Sequence, residues 1–143
     1  RDFKRIADPL QKFGAKLKLT RKKNLPLTIL GTKNLKPIKY FEKRGSAQCK
    51  SSVIFAALRT EGTTLIKAKK SRNHTELLCK YLKLPIQISN KKKFDLIKIK
   101  KANSIKPFNY QIPSDISSAA FFIVLTILSK KSTLLLKNIN INL

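Results

Sequence analysis

Residues 46–76 decide the fold. Ser46-Ala47-Gln48-Cys49-Lys50-Ser51-Ser52 leads into an apolar run ending at Leu58, Thr63-Thr64 opens a short alternating segment, and Ser71-Arg72-Asn73-His74-Thr75-Glu76 begins the next run. Small polar residues just before an apolar run mark a helix start. Ser46, following Gly45, therefore caps a predicted helix from about Ala47 to Leu58, which Glu61-Gly62 stops. Asn73, with Glu76 three residues on, satisfies the capping-box pattern and predicts a second helix from about His74 to Leu82. Each start carries a cation, Lys50 in the first and Arg72 in the second. The unpaired N–H groups of a first helical turn point outward, and the helix dipole adds about half a positive charge there. Such starts hold phosphate and carboxylate groups.

The flanking segments extend the pattern. Leu25 to Leu30 and Pro37 to Phe41 are short and bounded by Gly, Pro and Asn, as strands are, and Thr63 to Ala68 reads as a third. Pro85 to Ser89 and Phe94 to Lys100 alternate apolar and polar side chains, which predicts half-buried strands with lysines facing water. Lys91-Lys92-Lys93 between them reads as a solvated turn. Pro37 to Lys100 thus forms a β-α-β-α-β-β unit. Upstream, Ile6, Leu10, Phe13 and Leu17 recur at helical spacing, predicting a helix over Arg5 to Leu17 with Gly14 near its end. Downstream, a strand over Pro107 to Ile112, a helix over Ile116 to Leu128 behind Asp115, and a strand over Thr133 to Ile141 complete a mixed α/β (α+β) order.

Composition narrows the class. The 42% hydrophobic and 27% charged content fits a packed chain rather than a disordered one. Ala119 to Leu128, the longest apolar run, is interrupted by Thr126 and falls short of the roughly 20 residues a membrane-spanning helix needs. The chain has no methionine and opens on Arg1, so it is expected to be an internal piece of a longer polypeptide. Cys49 and Cys79 have neither paired nor metal-type spacing. They read as buried thiols in a reducing compartment, with a disulfide as the alternative. A formal charge of +25 would ordinarily point to nucleic acid. Lysine, however, supplies 26 of the 32 cations and is spread along the whole chain, as drift in an AT-rich genome would spread it. A basic RNA-binding module is the alternative of another class; against it, Tyr40, Tyr81 and Tyr110 are scattered rather than clustered for base stacking. His74 is the single histidine, and no carboxylate or nucleophile is spaced to form a triad with it. It reads as part of a helix start.

Five segments together resemble one family. Arg1-x-x-x-Arg5-x-x-x-Pro9-Leu10-x-x-Phe13-Gly14-Ala15, Leu25-Pro26-Leu27, Ser46-Ala47-Gln48-x-Lys50-Ser51, Arg72-x-His74-Thr75-Glu76 and Pro113-Ser114-Asp115-x-Ser117-Ser118-x-Ala120-Phe121 fall in the order and spacing of 5-enolpyruvylshikimate-3-phosphate synthase, in its Ser-Ala-Gln subgroup. The resemblance implies an enolpyruvyl transferase fold, a two-lobed inside-out barrel of β-α-β-α-β-β units, of which only part is present. Residues 1–112 would belong to the first substrate-binding lobe, and residues 113–143 would start the return into the second. It also implies transfer of the enolpyruvyl group of phosphoenolpyruvate to the 5-hydroxyl of shikimate 3-phosphate with release of phosphate, in aromatic amino acid biosynthesis. The enzyme would be cytoplasmic and monomeric and would need no cofactor or metal.

Carried over by residue, Arg1 and Gln48 would contact phosphoenolpyruvate, while Ser46, Ala47, Gln48, Ser71 and Arg72 would hold shikimate 3-phosphate. Taken without the resemblance, Ser46 reads equally as a plain cap and Arg72 as a surface ion pair. Lys50, one turn on from Ser46, is a candidate for shaping the anion field. Asp115, Ser117 and Ser118 fit capping at the return between lobes. Asp2 stands where the family usually has proline, Cys49 replaces an aliphatic residue, and Asn73 replaces an aspartate. The family's proton-transferring groups have no counterparts here, so the chain by itself is expected to be inactive. The sister transferase acting on UDP-N-acetylglucosamine shares the fold and is the near alternative; Ser-Ala-Gln-x-Lys-Ser favours the shikimate enzyme.

Overall fold

Residues 2–20 and 25–140 are described by a computed structural model. Their elements run α1 (Lys4–Phe13), β1 (Lys16–Leu19), β2 (Leu27–Leu30), β3 (Lys39–Glu42), α2 (Ala47–Ala57), β4 (Thr63–Lys69), α3 (His74–Tyr81), β5 (Ile86–Asn90), β6 (Phe94–Lys100) and α4 (Ile116–Leu128). The chain divides into two units, Arg1–Ile105 and Lys106–Leu143.

The first unit is organised by a four-stranded sheet of order β3-β4-β6-β5. Strands β4 and β6 pair antiparallel over their full lengths, from Thr63 opposite Lys100 to Lys69 opposite Phe94. β5 pairs antiparallel with the other edge of β6. In β4 and β6 every second residue is buried, so Ile66, Ala68, Ile97 and Ile99 face inward against Val53, Ile54 and Ala57 of α2. Lys67, Lys69, Lys98 and Lys100 take the other face. The β-α-β-α-β-β unit read from the sequence is present, and Lys91-Lys92-Lys93 is the exposed turn between β5 and β6.

One pairing in this sheet positions everything that follows. β3 and β4 are parallel neighbours, Tyr40 opposite Ile66 and Glu42 opposite Ala68. A parallel pair needs a crossover, supplied here by α2. Because the two strands run the same way, their C-terminal ends lie at one edge of the sheet. α2 follows β3, α3 follows β4, and both helices therefore begin at that edge.

Three expectations fail. The first helix ends at Phe13 rather than Leu17, because Gly14 takes a φ of +110° and its N–H turns back to the carbonyls of Gln11 and Leu10. Leu17 then sits in β1, opposite Ile29 of β2. Pro107–Ile112 forms no strand in the second unit. Of the predicted strand over Thr133 to Ile141, the described residues show only an isolated bridge between Ser114 and Ile139, and Ile141 lies outside them. A strand exists only where a neighbour completes its ladder, and an alternating pattern does not supply one.

α4 begins as expected, the Asp115 carboxylate accepting from the Ser117 N–H at 2.9 Å. It is apolar on all sides, and Ala119 is its one buried residue. Among the described residues no helix is long and apolar enough to cross a membrane.

Candidate functional site

The loop from β3 into α2 is drawn tight by one carboxylate. Glu42 is buried and accepts three successive backbone N–H groups, those of Arg44 at 3.0 Å, Gly45 at 2.6 Å and Ser46 at 2.9 Å. Three donors converge only if the chain folds back sharply, and Gly45 permits this with a φ of +70°. A Cβ at Gly45 would stand 3.0 Å from the Lys70 carbonyl oxygen. The loop thus delivers Ser46 in an extended conformation, and its Oγ accepts from the Cys49 N–H at 3.3 Å. Ser46 is the helix cap. Capping uses a lone pair of the hydroxyl oxygen, so the hydroxyl proton is still a donor. Ala47 and Gln48 supply first-turn N–H groups for which helix geometry provides no acceptor.

The second helix start is stapled to the first at two points. Ser51 and Thr75 share a hydroxyl–hydroxyl hydrogen bond of 2.6 Å. Lys50 Nζ lies 2.6 Å from Glu76 Oε1, with both side chains buried. This corrects two readings. Asn73 makes no side-chain capping bond, and the Glu76 carboxylate that would supply the other half of a capping box is turned to Lys50. Lys50 in turn is neutralised inside the protein and does not add its charge to the field outside.

At the sheet edge these starts border an open concavity of about 560 Å³ lined by Asp2, Arg5, Arg44, Ser46, Ala47, Gln48 and Arg72. That volume suits a small-molecule ligand. Three arginines face one aspartate there, and the Asp2 carboxylate already accepts from the Lys4 N–H at 2.8 Å. The lining therefore offers donors and positive charge. Four of the sequence-predicted residues, Ser46, Ala47, Gln48 and Arg72, line it together. Ser71 is not among the lining residues; its Oγ is buried without a hydrogen-bond partner among the described residues. Arg1 lies outside the described residues. A second depression, on the outward sheet face, is lined by Phe41, Leu65, Lys67 and Leu96 among others, and has neither arginines nor helix starts.

Two lining residues were not anticipated. Arg5, on the first turn of α1, donates from Nη2 to Gln48 Oε1 at 3.1 Å across 43 positions of sequence. Its signal was its place in the Arg1-x-x-x-Arg5-x-x-x-Pro9-Leu10 motif. Arg44 enters through the turn that Glu42 ties, and nothing in its local sequence distinguishes it from the many other cations.

The thiols are inert here. Cys49 and Cys79 are free and buried, so the disulfide alternative is set aside. Burial, and then the Glu76 carboxylate, raise the Cys79 thiol above its ordinary value and keep it protonated. Burial also pushes the Tyr40 phenol up to about 12, with Cys49 and Glu42 adding to the rise. Among the described residues no group of three His, Cys, Asp or Glu side chains is arranged to hold a metal ion.

Comparison with known proteins gives consistent matches. The profile of the EPSP synthase family, described as 3-phosphoshikimate 1-carboxyvinyltransferase, matches residues 1–143. The chain is 41% identical over 144 residues to the 3-phosphoshikimate 1-carboxyvinyltransferase of Caldicellulosiruptor saccharolyticus, covering 99% of this chain and 33% of that protein. It is 40% identical to the enzyme of that name from Petrotoga mobilis, with the same coverage. Among solved structures, EPSP synthase from Acinetobacter baumannii superposes with a TM-score of 0.75 at 33% identity, over 99% of this chain and 32% of that one. The chain spans about a third of the length of the relatives it matches.

Proposed function

The chain belongs to the EPSP synthase (3-phosphoshikimate 1-carboxyvinyltransferase) family, and from that premise we propose that it is a substrate-binding portion of an enzyme joining phosphoenolpyruvate to shikimate 3-phosphate. In that reaction the 5-hydroxyl oxygen of shikimate 3-phosphate bonds to the enol carbon, the methylene takes up a proton, and phosphate leaves as a proton is lost. Both substrates are polyanions. The observation that carries the reading is the concavity in which Arg5, Arg44 and Arg72 surround two converging helix starts. Arginine forks and first-turn N–H groups are the donors such anions require.

In this reading Ser46, Ala47, Gln48 and Arg72 hold shikimate 3-phosphate, and Ser71 supplies a hydroxyl beneath them. Gln48, with Arg1, meets phosphoenolpyruvate. Residues 1–112 belong to one lobe and residues 113–143 begin the return to the other. The intact enzyme is a cytoplasmic monomer, uses no cofactor, and takes its proton-transferring groups from parts of the polypeptide other than this chain. The relatives carry the shikimate name rather than that of the UDP-sugar transferase, which favours the first of the two readings.

Alanine variants of the parent polypeptide test the site. Arg72→Ala removes a charge-assisted contact of roughly 1.5–3 kcal/mol, so shikimate 3-phosphate should bind about 10- to 150-fold more weakly by calorimetry. Gln48→Ala should weaken both substrates, with stability altered by no more than about 1 kcal/mol because alanine suits a first helical turn. Normal binding of both substrates by the Gln48→Ala enzyme would overturn the site.

A further inference from the structure

We propose that Arg5 is a positioning residue that fixes the orientation of the Gln48 amide and so determines how tightly the enzyme holds phosphoenolpyruvate. The inference rests on the reading of Gln48 given above. A guanidinium has five donors and no acceptor, so the Gln48 atom facing it must be the amide oxygen. Arg5 Nη2 meets Oε1 at 3.1 Å. The opposite orientation would set two donors against each other, and the contact therefore selects one of the two faces of the amide. With Oε1 taken by Arg5, Gln48 Nε2 is turned away from the guanidinium and presents both its protons on the other side. Those protons are what an anionic ligand needs. A freely rotating amide would present its oxygen to the anion much of the time and repel it.

The scaffold supports this role. Arg5 is half-buried on α1, where Ala7, Pro9 and Phe13 anchor the helix in the interior. Gln48 is exposed on the first turn of α2, one residue before the buried Cys49. The hydrogen bond ties two separately anchored elements at the mouth of the concavity. An unheld glutamine there would have several rotamers to choose from, and ordering one on binding weakens the ligand.

A double-mutant cycle in the parent polypeptide tests the proposal, with phosphoenolpyruvate binding read by calorimetry at saturating shikimate 3-phosphate. Arg5→Ala should weaken phosphoenolpyruvate about 5- to 50-fold. It should weaken shikimate 3-phosphate, measured alone, by a smaller factor than it weakens phosphoenolpyruvate, since Arg72 and the helix starts still hold that ligand. In the Gln48→Ala background the same change should have almost no further effect. Additive losses would mean that Arg5 contacts the ligand itself, and would overturn the proposal. An Arg5→Ala enzyme that binds phosphoenolpyruvate normally would overturn it too. If Arg5→Ala does not fold, the cycle is run with Arg5→Lys, whose ammonium can still donate but lacks the planar fork. A smaller loss, again absent with Gln48→Ala, is expected. A different failure, Gln48→Ala alone leaving both ligands unaffected, would strike the underlying site assignment, whatever Arg5→Ala then does.

Discussion

At the scale of single residues, the buried Lys50–Glu76 pair has the largest energetic consequence. Taking one partner away leaves the other charge inside the protein, so Lys50→Ala is expected to destabilise the fold by about 3–5 kcal/mol in urea denaturation. Glu76 Oε2 has no hydrogen-bond partner among the described residues. The pair is thus imperfectly satisfied, and Lys50→Met combined with Glu76→Leu should recover most of that loss. A double variant as unstable as the single one would show that the pair is worth more than its desolvation costs. Tyr40 gives a second test. Its pKa rises from 10.0 to about 12 on folding, chiefly through burial. The folded state then holds the phenolic proton more tightly than the unfolded state. Tyr40 therefore contributes stability in full below about pH 10 and loses it as pH climbs towards 12. Tyr40→Phe should flatten the decline of the denaturation midpoint across that window, and an unchanged slope would assign the decline to other groups.

At the scale of elements, the β3–α2 connection is the sensitive one. Gly45→Ala puts a Cβ 3.0 Å from the Lys70 carbonyl oxygen on a backbone with φ +70°. This should cost about 1–3 kcal/mol by thermal melting and displace Ser46 from its cap. Gly31→Ala, whose added Cβ meets nothing within 4 Å, is the control and should be near neutral. The same element shows what sequence can and cannot say. Ser46 and the apolar run behind it announced a helix, and the alternation in Thr63–Lys69 and Phe94–Lys100 announced strands with a buried face, because both signals are local. Gly14 is a local stop signal as well: one residue able to adopt positive φ ends a helix whose apolar spacing runs on to Leu17. Pro107–Ile112 had the pattern of a strand, but pairing is a property of two segments. At the site, the two helix starts were legible from caps and cations. That they stand at one sheet edge follows from parallel β3 and β4. The Arg5–Gln48 contact spans 43 positions, and nothing local encodes it.

At the scale of the whole molecule, the +25 charge is mostly solvated surface. On the outward sheet face Lys67 Nζ lies 5.2 Å from the centre of the Phe41 ring and 4.4 Å from that of Phe94. Rings covered by an ammonium are poor platforms for bases, which speaks against the RNA-binding alternative. The chain covers about a third of the length of its relatives, and the concavity is lined by three arginines and two helix starts with Asp2 as its one carboxylate. Incubated alone with phosphoenolpyruvate and shikimate 3-phosphate, it should release phosphate only at background. Turnover by the purified chain would show that it carries proton-transferring groups of its own.

α4 has a consequence for how such a polypeptide is made. Phe121 is 82% exposed, Leu128 78% and Ile127 76%. A ribosome adds about 5–20 residues per second, and small mixed α/β domains fold in roughly milliseconds, faster than that. The sheet of the first unit can therefore form while α4 is still in the exit tunnel. α4 then emerges with little among the described residues of its own unit to shelter it, and two nascent chains that meet there have every reason to stick. Codons that slow translation of the parent polypeptide once α4 has left the tunnel should therefore lower the yield of soluble protein more than the same codons placed just after Lys100, before α4 is made.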